Sequence, residues 1–325
     1  MSRKPKQAQF AYDFEQPVIE LDARIAKLQE HAAEHGEDVA AEVQKLKAER
    51  DELLAGIMAN LTAYQRVKLA RHPLRPQSRD YVEAIFDEFI ELHGDRRFGD
   101  DKAIITGLGA VEGRRMMLIA QHKGRDTKEK MAHNFGMPNP EGYRKALAKM
   151  LLAEKFALPV VCLIDTPGAA PAVEAEERGQ AQAIAENIWR MTGLRTPIVV
   201  VVTGEGCSGG ALGVGVGDRF AMMENTYYSV ISPEGCAAIL WHDGAMAERA
   251  AEALKLTARD MLEQGIIDEI IAEPLGGAHR DPAAAADAIK AYIIRAVDEL
   301  ASIAIDTLLD QRYKRYRSIG PYAQV

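Results

Sequence analysis

The sequence predicts an α/β fold, because strand-like and helix-like segments alternate through the chain after residue 100. Two short runs, 159–165 and 197–202, are rich in Val and Ile and are each followed by a turn that contains Gly. Such runs are typical of buried strands. The segments between and after them repeat apolar residues at helical spacing. This part of the chain is therefore assigned to the α/β class.

Composition and charge exclude several functional classes. The chain has 325 residues, of which 47% are hydrophobic and 27% charged, as in an ordinary globular protein. The formal net charge of −8 argues against broad nucleic-acid binding. No apolar run is long enough to span a bilayer, and the basic N-terminus lacks the apolar segment of a secretory signal. We therefore expect no membrane association.

The cysteines indicate whether this chain is expected to bind a metal and in which cellular compartment it is expected to occur. There are three of them, scattered and without a Cys-x-x-Cys pair. This pattern indicates neither a disulfide framework nor a zinc site. The sequence also offers no compact cluster of Asp, His and Cys. We therefore expect no metal in this chain and a cytoplasmic location.

The N-terminal part is predicted to be helical. Apolar residues at helical spacing predict two long helices over 17–34 and 37–60, interrupted at Gly36. Charged residues fill their other faces. The pair either packs on its own domain or serves as a docking arm for another subunit.

A proline-punctuated basic stretch, 69–76, marks a candidate domain boundary. One more amphipathic helix is predicted after it, over 79–93. We therefore divide the chain into a helical hairpin with linker, 1–78, and a larger domain with C-terminal helices, 79–325.

The remaining elements follow from local patterns. The basic and aromatic stretch 312–317 is interpreted as a solvated helix end rather than an RNA site. The other predictions are a β-hairpin of 103–111 and 115–121, a charged loop at 123–130, helices over 140–156, 175–191, 245–254, 257–264 and 282–313, strands over 219–223 and 227–231, and a turn at 232–235.

The glycine-rich stretch 203–211 is the candidate functional site. It follows the apolar run 197–202 and precedes a short Gly-rich apolar segment, 211–217. We interpret it as strand, tight turn and helix start. Glycine permits close backbone approach, and the first amides of a helix lack internal partners. The turn is therefore suited to holding a negatively charged oxygen.

Two interpretations of this stretch rest on known motifs. The glycines at 204, 206 and 209 match a dinucleotide-binding pattern, with Glu224 beyond, yet the helix that follows is too short and too rich in glycine.

Residues 206–210 also match a nucleophile elbow. In that interpretation Ser208 is the nucleophile and Asp268 and His279 follow in hydrolase order. Cys207 is a second candidate nucleophile, because helix N-termini lower thiol pKa values.

A third interpretation uses only the backbone amides of the turn. A reaction through an enolate needs oriented N–H groups rather than a side-chain nucleophile. The small residues Gly209 and Gly210 would let a reacting oxygen approach to hydrogen-bonding distance. The three interpretations stay open on the residues alone.

Eight longer stretches occur in an order that matches a known family. The chain closely resembles the α subunit of bacterial acetyl-CoA carboxylase carboxyltransferase from about residue 11 to 317. The stretches are DFEQP at 13–17, LARHP at 69–73, NFGMP at 134–138, IDTPGA at 164–169, AEERGQ at 175–180, GEG at 204–206, SVISPEGCA at 229–237 and EPLGGAHR at 273–280.

The resemblance implies a fold and an activity. The fold would be a crotonase/ClpP-like superhelix of ββα units with an N-terminal helical extension. The activity would be transfer of a carboxyl group from carboxybiotin on its carrier protein to acetyl-CoA, giving malonyl-CoA in the first step of fatty acid synthesis. The implied partners are a zinc-bearing β subunit in an α2β2 complex, the biotin carboxyl carrier protein and biotin carboxylase.

The resemblance also implies roles for individual residues. The amides of Gly209 and Gly210 would form an oxyanion hole for the ureido oxygen of biotin, while acyl-CoA would bind mainly to the β subunit. The implied carboxybiotin pocket consists of Pro167, Gly168, Ala169, Ser208, Pro233 and Glu234.

The chain departs from the family pattern at a few positions. Ala170, Glu174 and Cys207 stand where the family usually has Tyr, Gly and Gly, and Ala172 and His133 also differ. These departures fall near the implied biotin side. They leave an alternative open, in which the chain is a divergent paralogue that acts on another acyl-CoA or serves as a weakly active scaffold.

Overall fold

An eight-stranded sheet runs through the computed structural model, which describes residues 10–320. Its strands are β1 (Glu88–Glu91), β2 (Ile104–Val111), β3 (Arg114–Gln121), β4 (Val160–Thr166), β5 (Ile198–Cys207), β6 (Arg219–Met223), β7 (Tyr227–Ser229) and β8 (Glu269–Ile271).

The strands follow one another in space almost as they do in sequence. The order is β1-β2-β3-β4-β5-β6-β8, and β7 pairs with the end of β5. The first three strands are antiparallel, which confirms the predicted hairpin, and β3 to β8 are parallel. Parallel neighbours need long crossover connections, and helices supply them here. The carboxyl ends of β3, β4 and β5 therefore meet at one edge.

Fourteen α-helices surround the sheet within residues 10–320. They are α1 (Gln16–His35), α2 (Ala40–Ala59), α3 (Ala63–Ala70), α4 (Ser78–Ile85), α5 (Thr127–Ala132), α6 (Pro140–Lys155), α7 (Val173–Glu177), α8 (Gln180–Gly193), α9 (Ser208–Leu212), α10 (Pro233–Trp241), α11 (Ala247–Leu254), α12 (Ala258–Glu263), α13 (Pro282–Ala301) and α14 (Ile305–Arg317). Within the described residues, none of them combines the length and the apolarity that crossing a membrane requires.

The core lies on both faces of the central strands, β4 and β5, which are buried along their whole length. Successive residues of a strand point to opposite faces. Val161 therefore packs with α13 on one face, whereas Cys162 packs with α6 and α8 on the other. Burial on both faces explains why these strands read as continuous apolar runs rather than as alternating ones.

The N-terminal hairpin forms as predicted. Helices α1 and α2 pack against each other through a small cluster around Ile25, Val43 and Leu46. Gly36 ends α1 in the left-handed conformation, with φ of 69°. The predicted linker that follows α3 is embedded in the larger domain: the Arg75 guanidinium is buried and donates to the Thr203 carbonyl and to Glu273. A domain boundary at residue 78 stays a prediction.

The predicted helix over 79–93 is wrong in its second half. Helix α4 ends at Ile85, and strand β1 follows. Ile85 and Phe86 are buried, and the residues of β1 alternate between exposed and half-buried. That alternation is the pattern of an edge strand, and its antiparallel pairing with β2 overrides the helical spacing.

Several other boundaries also differ from the sequence predictions. The helix expected over 175–191 is broken at Gly179, which has φ of 82°. The helix expected over 282–313 is two helices, α13 and α14. Part of the predicted charged loop forms α5, because Asp126 caps its first turn by accepting from the Glu129 amide. The predicted turn at 232–235 is the start of α10, capped by Ser232.

The C-terminal stretch 312–317 is not simply the solvated helix end that the sequence predicts. The Arg312 side chain is 1% exposed and is paired with Asp218 at 2.6 Å. The Tyr316 hydroxyl donates to the Gly217 carbonyl and accepts from its amide. Arg312 and Tyr316 therefore attach α14 to the body of the fold.

Candidate active site

The glycine-rich stretch begins as a strand rather than as a turn. Strand β5 continues to Cys207, so Gly204 and Gly206 lie within it. A Cβ at Gly204 would lie 2.2 Å from the Asp165 Oδ1, and one at Gly206 would lie 2.6 Å from the Tyr228 ring. These two glycines therefore allow close packing of the strand. The dinucleotide-binding interpretation is wrong here, since it requires them in the turn.

The turn itself lies at Cys207 and Ser208. Ser208 has φ of 57°, which is unusual for a residue other than Gly, and it starts the short helix α9. Ser208 is exposed, Gly209 is half-buried and Gly210 is buried. Because the first amides of a helix have no internal acceptor, the N–H groups of this turn are suited to an outside oxygen.

A second turn lies directly against the first. A Cβ on Gly210 would lie 2.4 Å from the Gly168 carbonyl carbon and 2.7 Å from the Ala169 nitrogen. Gly168 has φ of 144°, and the Thr166 hydroxyl accepts from its amide at 3.1 Å. The structure therefore brings together the predicted residues Gly168, Ala169 and Gly210.

Two side chains that the sequence analysis did not single out fix the backbone of Gly210. The Gln121 Nε2 and the Tyr143 hydroxyl both donate to its carbonyl oxygen, at 2.7 and 3.2 Å. Gln121 ends β3, and Tyr143 lies in α6. Both side chains are buried. No local motif marks these two residues, because their role depends on a contact with a loop more than 60 residues away.

An apolar cavity of about 290 Å³ opens beside the turn. Its residues come from α9, from β7 and the residue after it, from α11, and from α12 and the segment after it. Among them are Ser208, Gly209, Leu212, Tyr228, Val230 and Met261.

A chain of charged side chains lies near the carboxyl ends of β3, β4 and β5 and includes the buried carboxylates of Asp165 and Glu205. The Lys123 ammonium contacts the Asp165 Oδ1 at 2.5 Å and the Glu205 Oε1 at 2.7 Å. The other oxygen of Glu205 accepts from the Arg71 Nε and from the Tyr227 hydroxyl, both at 2.6 Å. Burial would raise the pKa of Glu205, yet Lys123 and Arg71 together lower it to about 2. Burial raises the pKa of Asp165 despite Lys123.

The same chain of charges reaches the predicted pocket residue Glu234. The Arg71 Nη1 donates to Glu234 at 2.7 Å, and the Tyr64 hydroxyl donates to it at 3.1 Å. Pro233 is buried as the first residue of α10, and Pro167 is half-buried beside Gly168. Glu234 is thus held by residues of the N-terminal helical part, which the sequence analysis assigned to a separate unit.

The structure shows the surroundings of two residues that depart from the family pattern, Ala170 and Glu174. Ala170 is buried, donates its amide to the Pro138 carbonyl and accepts from the Gln180 Nε2. Glu174 is exposed on α7, so water solvates its charge. Neither departure therefore places an unpaired charge in the protein interior.

The hydrolase interpretation does not fit the structure. The His279 Nε2 is hydrogen-bonded to the Glu15 Oε1 at 2.9 Å, whereas Asp268 accepts from the Phe220 amide and from Arg315. The predicted His and Asp are therefore engaged with different partners. Burial raises the pKa of the Cys207 thiol to about 11, so it is not the activated nucleophile that the helix start suggested.

The fold assembles a compact cluster of His and Glu side chains from three distant segments of the sequence. Glu15, His72 and His279 are all buried, and their ligand atoms lie within 4.8 Å of one another. The two imidazole rings stack with centroids 3.9 Å apart and planes inclined by 26°. Lone pairs of nearly parallel rings do not converge on one point, as a shared metal would require. The cluster instead joins the N-terminal segment to two distant loops.

This cluster predicts loss of stability in mild acid. Burial, with a smaller contribution from His279, lowers the pKa of His72 to about 4 from an ordinary value of 6.5. Between these pH values the unfolded chain binds more protons than the folded one, so the free energy of unfolding falls as the pH falls. Burial would raise the pKa of Glu15, yet hydrogen bonds with His279 and the Tyr12 amide lower it, which adds a loss of the same sign at lower pH.

Urea unfolding of the chain between pH 7.5 and 4.5 measures this effect. We expect a shallower pH dependence for His72→Gln than for the unsubstituted chain. His31→Gln is the matched control, because the His31 side chain is 59% exposed, and it should leave the slope unchanged. Equal slopes for all three proteins would contradict the assignment.

Solved structures with a similar fold show which fold class this chain has. The chain aligns with transcarboxylase 12S at a TM-score of 0.58 and 19% identity, covering 71% of this chain and 42% of that one. It aligns with the β subunit of Pseudomonas aeruginosa geranyl-CoA carboxylase at a TM-score of 0.54 and 18% identity, covering 76% and 46%. These likenesses show the crotonase-like fold that the resemblance implied.

Sequence comparison identifies the family. A family model described as "Acetyl co-enzyme A carboxylase carboxyltransferase-like" matches residues 11–320. The acetyl-CoA carboxylase carboxyl transferase subunit alpha of Methylococcus capsulatus is 53% identical, covering 96% of this chain and 97% of its own length. That of Geobacter metallireducens is 51% identical, covering 98% and 99%. The chain therefore belongs to the family of acetyl-CoA carboxylase carboxyltransferase α subunits.

Proposed function

We propose that this chain is the α subunit of a biotin-dependent carboxyltransferase, and that it acts with its β subunit to carboxylate acetyl-CoA to malonyl-CoA. The observation that carries the proposal is identity of 51–53% to α subunits over nearly the whole chain. The comparisons support this function and not the alternative of a divergent paralogue.

The residues at the turn fit a biotin ring. The cavity beside Ser208 and Gly209 is mainly apolar, which suits the tetrahydrothiophene part of the biotin ring system, while its ureido part would face the backbone amides. Gly209 presents no side chain, and a Cβ there would come no closer than 3.5 Å to Ile184, so this part of the backbone stays accessible. Carboxybiotin supplies the carboxyl group when it is bound.

In the proposed mechanism, Gly209 and Gly210 act through their amides. They would donate to the ureido oxygen, where negative charge develops as the carboxyl group leaves. One such donor is typically worth about 3 kcal/mol of transition-state stabilisation. The close contact between Gly210 and the Gly168 turn would keep the amides oriented, and Gln121 would hold the Gly210 carbonyl.

The proposal also assigns the residues that would form the walls of the pocket and the proteins that would act with this chain. Pro167, Gly168 and Ala169 would form one wall of the carboxybiotin pocket, and Pro233 and Glu234 another. The partners would be a zinc-bearing β subunit in an α2β2 complex, the biotin carboxyl carrier protein and biotin carboxylase. All three cysteines are free thiols and buried, as suits the cytoplasmic location that we propose.

Carboxyl transfer from malonyl-CoA to a free biotin derivative tests the function. We expect activity when this chain is purified together with the β subunit of its own organism, and none with either subunit alone. The requirement for both follows if acyl-CoA binds mainly to the β subunit and biotin to this chain. An intact pair, loaded with zinc yet inactive, would contradict the acetyl-CoA assignment.

A further inference from the structure

One ammonium group contacts both of the strands that lead into the two turns of the candidate site. Lys123 follows β3, and its Nζ contacts Asp165 of β4 and Glu205 of β5 at 2.5 and 2.7 Å. The exposed fractions of the three side chains are 15%, 5% and 8%. The proposed mechanism assigns no role to Lys123.

Both carboxylates lie only a few residues before the backbone groups of the site. Asp165 precedes the turn that contains Gly168, and Glu205 precedes the turn that contains Gly210. Asp165 also accepts from the Glu205 amide at 2.9 Å. The strands that carry the two carboxylates pair as far as Thr166 and Gly206, so a shift of either carboxylate would be passed on to the turn that follows it.

The ammonium is what allows the two carboxylates to lie so close together. Glu205 has further donors in Arg71 and Tyr227, but Asp165 accepts only from Lys123 and the Glu205 amide among the side-chain and backbone donors of residues 10–320. Removing one partner of a buried pair leaves an uncompensated charge. Without Lys123, Asp165 and Glu205 would lose the shared donor that fixes their spacing, and the turns that follow them would shift.

We infer that Lys123 is a positioning residue for carboxyl transfer, because its ammonium holds Asp165 of β4 and Glu205 of β5, and with them the turns that follow these strands, at the separation that keeps the Gly209 and Gly210 amides in place. This inference rests on the proposed function. A displacement of about 1 Å at such a site can lower a rate about a hundredfold.

The test uses the complex of this chain with its β subunit and the transfer from malonyl-CoA to a free biotin derivative. For Lys123→Met we expect kcat/KM for the biotin derivative to fall by about ten- to a hundredfold, with the full displacement effect as the upper end. The KM for malonyl-CoA should stay within about a factor of two, because acyl-CoA is expected on the β subunit and a local displacement does not reach it. A merely structural defect would change both.

A charge-balanced double variant provides the second readout. Lys123→Met combined with Asp165→Asn removes one positive and one negative charge, and the new amide can donate to Glu205. We expect the double variant to recover most of the lost rate. Lys130→Met is the matched control, since Lys130 lines a cavity together with Lys123 and Asp165 but forms no ion pair within the described residues. It should behave as the unsubstituted protein.

Three results would overturn the inference. They are a Lys123→Met complex within twofold of the unsubstituted rate, an equal rise in the KM for malonyl-CoA, and a double variant that is no more active than the single one. If Lys123→Met does not assemble, the double variant decides, and its failure to assemble or to act counts against the inference.

Gly209→Val separates this inference from the proposed function. If that variant keeps full transfer activity, the proposed role of the backbone amides fails. If it loses activity while Lys123→Met does not, only the role of Lys123 fails.

Discussion

Replacing Gly210 with Val is expected to abolish carboxyl transfer. A Cβ at this position would lie 2.4 Å from the Gly168 carbonyl carbon and 2.7 Å from the Ala169 nitrogen. These are backbone atoms, so no side-chain rotation relieves the clash, and one of the two turns must move. Gln121 and Tyr143 hold the Gly210 carbonyl on the other side. Loss of one oxyanion donor typically costs about 10²- to 10³-fold in kcat.

The measurement is the transfer rate of the complex, together with size-exclusion chromatography to confirm that the subunits assemble. Ser208→Ala is the control, because it removes a hydroxyl from the same turn without adding any atom to the backbone contact. We expect this variant to keep most of the activity. An active Gly210→Val complex would remove the backbone-amide mechanism. The hydrolase interpretation would be supported if Ser208→Ala were inactive and a fluorophosphonate labelled Ser208 of the unsubstituted protein.

The difference between these neighbouring glycines is not visible in the sequence. Gly204, Gly206, Gly209 and Gly210 look alike as letters, and together they predict one tight turn. In the structure the first two lie inside β5, where the Asp165 carboxylate and the Tyr228 ring fill the space that a side chain would need. Long-range packing therefore determines which glycine is strand and which is turn.

Elements with a strong local pattern were predictable. The β-hairpin before residue 121, strand β4 and the helical hairpin of α1 and α2 all lie close to their predicted bounds. Each depends on hydrophobic spacing or on a turn residue within its own segment. The helix predicted over 79–93 fails at β1 because that edge strand gains its structure from pairing with β2.

The side-chain clusters could not be predicted from spacing. His279 meets Glu15 across 264 positions of the sequence. Each residue alone has an unremarkable local context, and only the fold brings them together. The family resemblance included all three segments of this cluster but gave no sign that they share one buried site.

The stability of the fold should depend strongly on Arg312. Its guanidinium is 1% exposed and contacts Asp218 through Nε and Nη2, at 2.8 and 2.6 Å. It also donates to the carbonyls of Met191, Leu194 and Thr196, each at 2.8 Å. One side chain of α14 thus donates hydrogen bonds to carbonyl groups at the end of α8 and in the segment that leads into β5. Sequence analysis took this arginine for a solvated residue, because its neighbours are charged and aromatic.

Arg312→Met is expected to lower the free energy of unfolding by about 3–5 kcal/mol, the usual cost of leaving a buried partner charge uncompensated. Urea unfolding of the isolated chain measures it. Lys314→Met is the matched control in the same helix, since its pair with Asp310 is 72% and 55% exposed and such pairs contribute about 0–1 kcal/mol. Adding Asp218→Asn to Arg312→Met removes the unpaired charge, so the double variant should be less destabilised than the two single effects sum to. Equal losses for Arg312→Met and Lys314→Met would show that α14 is not attached through this buried ion pair.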